Sequence, residues 1–362
     1  FLSKAFGYLI RIALFSIDSS ILDKNIFLIF LLGLNLIDWI SFIVTIFLQG
    51  FLFSRNHKFN KTIINFSAIM VYSGLLFFFF VVLLLDVKFV FQAFLDIFTF
   101  HNVFLKSNIV PLITVAGTIF AYFSFIIVNY GDFTRYVKNE KELKKGNLSL
   151  ILNLVIFSFF AIFIVIGSDI FLNKKLENME RILTNPTDII GKIDNIQITV
   201  IGLFFIIFAS ASSNLIANYI PAQNTLLNFL PSKLNLKSSA AIIILLGFVV
   251  GIFWLPLLSK IGFLSYIDTL AAFFGPFFGI IIADYYLIKK KQLIAIDFFS
   301  AGKNSAYFYS SGFHIKGIYS LIIGFIFSAS TIWNESLIYL QSYSWMIGAF
   351  ASSLTYYFLA SK

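Results

Sequence analysis

One apolar stretch of the chain, residues 201–221, contains a cluster of hydroxyl and amide side chains: Ser210, Ser212, Ser213, Asn214 and Asn218. The stretch is long enough to cross a lipid bilayer as a helix. Because hydrocarbon offers no water, polar side chains at that depth need partners from the backbone, neighbouring helices, an ion or a ligand. The cluster therefore predicts a binding site inside a membrane.

The spacing of these residues indicates two kinds of ligand. Ala209, Ser212 and Ser213 lie on one helical face, and a carbonyl with two hydroxyls suits a hard cation such as sodium. Asn214 and Asn218 lie on a face rotated by about 100° from Ser213, where amides suit an organic substrate. The alternative is that the serines bond to carbonyls one turn earlier and that small residues permit close helix packing.

Composition places the whole chain in a membrane. Of its 362 residues, 59% are hydrophobic and 12% are charged, whereas roughly a quarter of residues are charged in soluble proteins. Runs of about 20 apolar residues predict an all-α polytopic membrane protein. The ten predicted spans are residues 6–22, 26–53, 63–85, 110–128, 148–170, 200–220, 240–258, 263–288, 315–332 and 343–360. The second is long and carries Asp38, so we expect a loop or interfacial turn before a shorter span.

The net charge of +9 is distributed as a topology signal, which argues against nucleic-acid binding. Basic residues follow the second, fourth, sixth and eighth spans, and such loops face the cytoplasm. We therefore predict a multi-pass protein of the cell membrane, in contact with lipid, with both ends of this chain inside. Extramembrane segments are too short for a soluble domain, so residues 1–362 are interpreted as one transmembrane domain.

No motif for catalysis is found in the sequence. A phosphate-binding loop, a nucleophile elbow and a histidine–carboxylate cluster are missing, and without cysteine no thiolate metal site can form. We expect no enzyme, no organic cofactor and no obligate protein partner, and the energy for uphill transport would come from an ion gradient. His57, His101 and His314 are interpreted as solvated surface residues, and Asp268 as a gate residue or an interfacial polar position.

Three further motifs resemble the nucleobase:cation symporter family, whose permeases carry uracil, cytosine, purines, allantoin or hydantoins. They follow in order along the chain. A fourth match to the same family lies between the first and the second of them, and it consists of Ser212-Ser213-Asn214 with Asn218 and Pro221. The three motifs are Asn129-x-x-Asp132-Phe133-Thr134-Arg135-Tyr136, Gly275-Pro276-Phe277-Phe278-Gly279 with Asp284-Tyr285-Tyr286, and Tyr307-x-Tyr309-x-x-Gly312. We interpret Asp132, Arg135 and Asp284 as structural charges at helix ends.

The resemblance implies the leucine-transporter fold, with two inverted five-helix repeats and two further helices. Ten spans starting inside then correspond to helices three to twelve. Since the chain opens on Phe1 without an initiator methionine, we expect a fragment that lacks the first two helices of the family.

The resemblance also assigns roles to single residues. It implies sodium, or alternatively a proton, as the coupling ion, with Ala209, Ser212 and Ser213 as sodium ligands. Asn218 would bind the substrate, and Phe123 takes the place of a tryptophan that stacks on the substrate ring. Phenylalanine keeps a stacking face but loses the indole donor, and the alternative for Phe123 is an ordinary lipid-facing aromatic.

The first span departs from the family pattern, because no tryptophan follows Arg11 and Asp18 stands within the predicted helix. One interpretation is that Asp18 faces the central cavity and binds a donor-rich substrate or couples a proton. The other is that the helix is shifted and Asp18 lies near the outer surface with Asp23 and Lys24.

Together these features predict cation-coupled symport of a nucleobase or a related cyclic ureide or amide. Two alternatives stay open: a symporter of the same fold for an amino acid, amine or vitamin, and a non-transporting membrane relic.

Overall fold

The computed structural model of the chain describes residues 2–84, 86–99, 105–175, 186–191, 193, 195–261, 263–294, 296–297, 300 and 302–361. The main helices are α1 (Leu2–Ile17), α2 (Leu36–Ser54), α3 (His57–Leu83), α4 (Val87–Ile97), α5 (Lys106–Val128), α6 (Glu140–Lys175), α7 (Ile196–Asn214), α8 (Ile220–Phe229), α9 (Leu236–Ile261), α10 (Phe263–Ile282), α11 (Ile315–Trp333) and α12 (Ser344–Ala360). Shorter helices are Asn25–Leu28, Tyr130–Thr134 and Pro186–Ile190, with 3₁₀ turns at Ile21–Asp23 and Glu335–Tyr343. Two π-helical segments, Leu215–Tyr219 and Ala283–Ile288, follow α7 and α10.

The protein is an all-α polytopic membrane protein, as predicted. Within the described ranges, eight helices are long and apolar enough to cross a membrane. The first and tenth predicted spans form α1 and α12, which have 16 and 17 residues. These two are somewhat shorter than the roughly 20 residues that span the hydrocarbon core.

The turn expected before the second span is present. A short helix, Asn25–Leu28, is followed by Gly33 with φ +80°, and α2 begins only at Leu36. Asn35 caps α2, since its side chain accepts a hydrogen bond from the Asp38 backbone N–H at 2.9 Å. The Asp38 carboxylate also pairs with Arg11 of α1 at 2.8 Å, so neither charge stays uncompensated.

The chain divides into two compact units, and the single membrane domain predicted from the sequence stays a prediction. The first unit contains α1 to α4, α6 to α8 and α9 as far as Pro256. Its core surrounds α7 and the π segment that follows, where Leu203 and Leu215 are fully buried. The second unit contains α5, α10, α11 and α12.

Small residues bring the helices of the second unit together. Gly275 and Gly279 lie one turn apart on α10 and face backbone carbonyls of α12, so an added Cβ would collide with the carbonyl oxygens of Trp345 and Ala349. The Ser352 hydroxyl donates to the Pro276 carbonyl at 2.9 Å across the same contact. In hydrocarbon, where apolar burial supplies little driving force, such close backbone packing holds helices together.

We predict that Gly279→Val lowers the free energy of unfolding by about 1–3 kcal/mol, because the valine side chain forces α10 away from α12. Thermal unfolding in detergent, followed by tryptophan fluorescence, measures the effect. Gly247→Val in α9 is the matched control, since a Cβ at Gly247 meets nothing within 4 Å. Equal melting temperatures for the two variants would refute the packing role.

Candidate functional site

The predicted polar cluster lies where the α-helix α7 changes into a π-helical segment. α7 ends at Asn214, and the π-helical segment Leu215–Tyr219 continues directly into α8. The π-helix is rare, and short π segments inside α-helices are frequent at functional sites. Here Asn214 stands immediately before the π segment and Asn218 inside it, so the irregular turn determines how their two amides are placed.

The amides of Asn214 and Asn218 are in contact, because the Asn218 Nδ2 donates to the Asn214 Oδ1 at 2.7 Å. This bond leaves the Asn218 Oδ1 as an acceptor and the Asn214 Nδ2 as a donor for a ligand. Asn218 is exposed in the structure and Asn214 is half-buried. The pair is electrically neutral and keeps both donor and acceptor groups, which can match the N–H and C=O groups of a ring amide.

Three side chains anchor the C-terminal end of the π segment. The Tyr219 ring stacks on Phe53 with centroids 3.9 Å apart, and its hydroxyl donates to the Phe53 carbonyl at 2.7 Å. Gln223 in turn donates to the Tyr219 hydroxyl and, at 3.1 Å, to the Leu236 carbonyl. Tyr219 and Gln223 are buried, so these bonds tie the segment to the end of α2 and the start of α9.

The structure brings two of the three predicted sodium ligands together. The buried Ser212 hydroxyl donates to the Ala209 carbonyl at 3.1 Å, while the Ser213 side chain is exposed. This bond to the preceding turn is the one that the packing alternative predicts for a serine in a helix. The same bond also places two oxygen atoms side by side, so the sodium role of Ala209, Ser212 and Ser213 stays a prediction.

A cavity of about 200 Å³ lies beside Ala209 in the first unit. Its walls are formed by apolar residues of α3, α6, α7 and the helix Pro186–Ile190, among them Gly74, Phe78 and Ile206. A cavity of this composition does not hold a hydrated ion. Ser212, Ser213 and the two asparagines lie outside the lining of this cavity.

Phe123 lies in α5, in the second unit. It packs edge-on against Tyr122, with centroids 5.3 Å apart, and is 36% exposed. The substrate role of Phe123 stays a prediction.

The location of Asp18 requires a correction. The predicted first span continues to residue 22, but α1 ends at Ile17 and Asp18 lies in the exposed turn that follows. Its carboxylate accepts hydrogen bonds from the backbone N–H and the hydroxyl of Ser20, at 2.9 and 2.8 Å. These bonds hold the pKa of Asp18 below its usual value. Asp18 thus occupies a turn beside Asp23 and Lys24, as the second interpretation has it, and a role in binding substrate stays a prediction.

Other polar contacts of the site were missed by the motif analysis. Asn224 is buried and donates to the Asp132 carboxylate at 3.0 Å, while Arg135 lies 4.0 Å from the same carboxylate. This geometry fits the structural interpretation of Asp132 and Arg135. The sequence does contain a signal for the buried contacts of Gln223 and Asn224, because two adjacent amides follow an apolar helix.

Comparison with known proteins decides the family. The model of a family described as permease for cytosine/purines, uracil, thiamine, allantoin matches residues 24–359, which is most of the chain. The chain belongs to this permease family. The resemblance indicated by the motifs is thereby confirmed. No solved structure matches the chain, so the inverted repeat of the leucine-transporter fold stays a prediction.

Individual permeases are similar to parts of the chain. The chain is 27% identical over 207 residues to the purine-uracil permease NCS1 of Arabidopsis thaliana. The aligned region covers 57% of this chain and 33% of the relative. The chain is 26% identical over 232 residues to the allantoin permease of Bacillus subtilis, 64% of this chain and 45% of the relative. A putative allantoin permease of Escherichia coli is 20% identical over 251 residues, 69% of this chain and 50% of the relative. The chain therefore spans between a third and a half of the length of these relatives.

We predict that Tyr219→Phe destabilises the first unit by about 1–3 kcal/mol, because the buried Gln223 amide and the Phe53 carbonyl both lose a hydrogen-bond partner. Chemical or thermal unfolding of the purified chain measures the loss. Tyr339→Phe is the matched control, since Tyr339 is 72% exposed and its hydroxyl can bond to solvent. If both variants unfold alike, the hydroxyl does not anchor the π segment.

Proposed function

We propose that this permease is a secondary transporter that carries a nucleobase or a related cyclic ureide or amide across the cell membrane together with a cation. The observation that carries the proposal is the Asn214–Asn218 amide pair at the π segment, one helical turn beyond the Ser212–Ala209 contact. An organic ligand and an ion would then bind to adjacent faces of a single helix.

The substrate class follows from the chemistry of the amide pair. Uracil, allantoin and hydantoin each carry an N–H next to a C=O in a planar or nearly planar ring. The Asn218 oxygen would accept from the ring N–H, and the Asn214 nitrogen would donate to the ring C=O. Both side chains are neutral, which favours a neutral ligand over an amino acid or a charged amine.

For the cation we propose sodium, bound by the Ala209 carbonyl and the hydroxyls of Ser212 and Ser213. Ser212 already contacts Ala209, so rotation of one hydroxyl would turn its lone pairs toward an ion held between them. Binding of the ion would order the same helix that holds the substrate. Such coupling is typically worth about 1–3 kcal/mol and acts equally in both directions. A proton is the alternative coupling ion.

We predict that, in the protein that contains this chain, Asn218→Ala reduces uptake of the preferred ring amide about 10-fold to 100-fold, because a substrate group loses its partner. Uptake of radiolabelled uracil, cytosine, a purine, allantoin, hydantoin and thiamine by cells that lack their own permeases measures the effect. The expected substrate is one of the neutral ring amides. Uptake of thiamine or an amino acid, with no ring amide transported, would instead support the alternative cargo.

Two control variants accompany that experiment. Asn228→Ala replaces an exposed asparagine of α8 on the same continuous helix, and we expect unchanged uptake. Ser213→Ala is expected to raise the sodium concentration required for half-maximal uptake. Ser330→Ala, at a half-buried serine of α11 whose hydroxyl bonds to the Phe327 carbonyl, is expected to leave it unchanged. Uptake that is equal in sodium and in choline buffer would rule out sodium coupling.

A further inference from the structure

The link between α10 and α11, residues 289–314, brings lysines and apolar side chains to the edge of the membrane. Residues 289–316 contain five lysines and one aspartate. The link joins a span that ends at Ile288 to a span that begins at Ile315, so both of its ends lie at the same surface of the membrane. The charge distribution predicts that this surface is the cytoplasmic one.

A circuit of side chains in the second unit fixes the two ends of the link against each other. Lys289 pairs with the Asp284 carboxylate at 2.8 Å and donates to the Tyr309 hydroxyl at 3.3 Å. The Tyr309 ring stacks on His314 with centroids 4.0 Å apart, and the His314 Nε2 lies 2.8 Å from the Tyr356 hydroxyl of α12. That hydroxyl donates to Asp284 at 2.6 Å and closes the circuit. His314 is therefore half-buried in a network, which corrects its interpretation as a solvated surface residue.

The circuit brings two short segments together, because residues 290–294 follow Lys289 directly and residues 313–316 contain His314. Both segments present exposed lysines beside exposed apolar side chains. We call six of these exposed side chains the link surface, and they are Lys290, Lys291, Leu293, Ile294, Phe313 and Lys316.

The lysines of the link surface carry charges that are not neutralised nearby. Within the part of the chain that the structure describes, no carboxylate pairs with Lys290, Lys291 or Lys316. Lys291 lies over the ring of Tyr286, with its Nζ 5.5 Å from the ring centroid. Tyrosine is enriched where a span meets water, so this contact places the Lys291 ammonium group at the depth of the lipid headgroups.

Lys290 and Lys291 occupy positions where the backbone favours glycine. Their φ angles are 46° and 65°, in the left-handed region that side chains with a Cβ disfavour. Glycine is the usual residue in this conformation at the end of a helix. Lysine at both positions costs backbone stability, which indicates that the two side chains have a role of their own. A purely structural role would be their attraction to the negative end of the preceding helix.

The apolar side chains of the link surface lie outside the two spans, where water would otherwise surround them. Leu293, Ile294 and Phe313 are 43%, 55% and 64% exposed. A protein partner that covered them would also cover the lysines, and lysine is depleted at protein interfaces. Lipid suits both kinds of side chain, because the acyl boundary covers apolar groups while headgroup phosphates attract ammonium groups.

We propose that the link surface binds anionic phospholipid, with its three lysines at the headgroup phosphates and its three apolar side chains at the edge of the acyl chains. The lipid belongs to the leaflet that the link faces, and anionic lipids of the cytoplasmic leaflet attract basic segments next to a span. The proposal does not depend on the substrate or the coupling ion, because none of the six residues belongs to the proposed transport site.

Native mass spectrometry of the purified protein that contains this chain measures the binding of single lipids. Phosphatidylglycerol is the anionic probe, and phosphatidylcholine with the same acyl chains is the zwitterionic probe. We expect phosphatidylglycerol to bind more tightly. The double variant Lys290→Gln/Lys291→Gln should raise its dissociation constant about 10-fold to 30-fold, because each lysine near an anionic surface contributes about fivefold. Binding of phosphatidylcholine should not change.

The double variant Lys144→Gln/Lys145→Gln is the matched control. It removes the same number of charges from two adjacent, exposed lysines of α6, but these pair with Glu140 and Glu142 at 2.8 and 3.1 Å. We expect the affinity for phosphatidylglycerol to stay that of the parent.

A glycine variant separates lipid binding from a structural role. Lys290→Gly/Lys291→Gly removes both charges and suits the left-handed backbone. We expect it to bind phosphatidylglycerol as weakly as the glutamine variant, while its melting temperature without lipid is equal to that of the parent or higher. A lower melting temperature with unchanged lipid affinity would instead assign the lysines to the end of the helix.

Electron paramagnetic resonance tests the insertion of the apolar side chains. Because the chain contains no cysteine, Ile294→Cys and Lys303→Cys each carry a single spin label on the link. In nanodiscs that contain phosphatidylglycerol, collisions with oxygen report lipid and collisions with a water-soluble nickel complex report water. We expect the label at Ile294→Cys to collide mainly with oxygen and the label at the exposed Lys303→Cys mainly with the nickel complex.

Equal dissociation constants for the two lipids overturn the proposal, and so does an equal loss of phosphatidylglycerol affinity in the α6 control. A label at Ile294→Cys that collides mainly with the nickel complex refutes insertion. Displacement of phosphatidylglycerol by excess inorganic phosphate would show a site for a free anion and contradict a lipid site. Because the melting temperature of each variant is measured without lipid, misfolding cannot be mistaken for a lost lipid contact.

Discussion

The structure depends on one constraint: hydrogen-bonding groups placed in hydrocarbon have no water to bond with. Polar side chains in the middle of the long helix Ile196–Phe229 must therefore be satisfied by the protein or by a ligand. Ser212 bonds to its own helix, Asn218 to Asn214, and Gln223 to Tyr219 and α9. After the bond between them, the Asn214–Asn218 amides still have N–H donors and the Asn218 Oδ1 acceptor, and a ring amide can bond to these groups.

The two units use different contacts to hold their helices together in hydrocarbon. In the second unit, glycines of α10 bring backbones into contact, and a hydroxyl of α12 donates to the Pro276 carbonyl. In the first unit, Tyr219 and Gln223 fasten a π-helical turn to α2 and α9. A π turn departs from the regular bonding of an α-helix and is rare. The anchors thus make an irregular, preorganised site compatible with a stable helix.

Much of the architecture could be predicted from the sequence. Apolar length alone indicated the spans, and Asp38 indicated the turn before α2, which the structure contains. The predicted end of α1 was wrong because Asp18 bonds to Ser20 and so offers the backbone an alternative to the helix. A prediction from the length of an apolar run does not take such local hydrogen bonds into account.

The site could be predicted only in part. Helical spacing predicted that Ala209 and Ser212 are close in space, because they are three residues apart in one helix. The π segment and its anchors could not be foreseen, since Phe53 lies 166 residues from Tyr219 and only the tertiary structure joins them. His314 was misplaced for the same reason, as its partner Tyr356 is 42 residues away.

The central claim is that one helix holds a cation and a ring amide on adjacent faces and couples their binding. Equilibrium binding of the preferred ring amide to the purified full-length protein, titrated with sodium and with choline as the control ion, tests it most directly. The account predicts that saturating sodium lowers the dissociation constant of the ring amide about 5-fold to 150-fold, and that the ring amide lowers that of sodium by the same factor. Dissociation constants that are identical with and without sodium would contradict it.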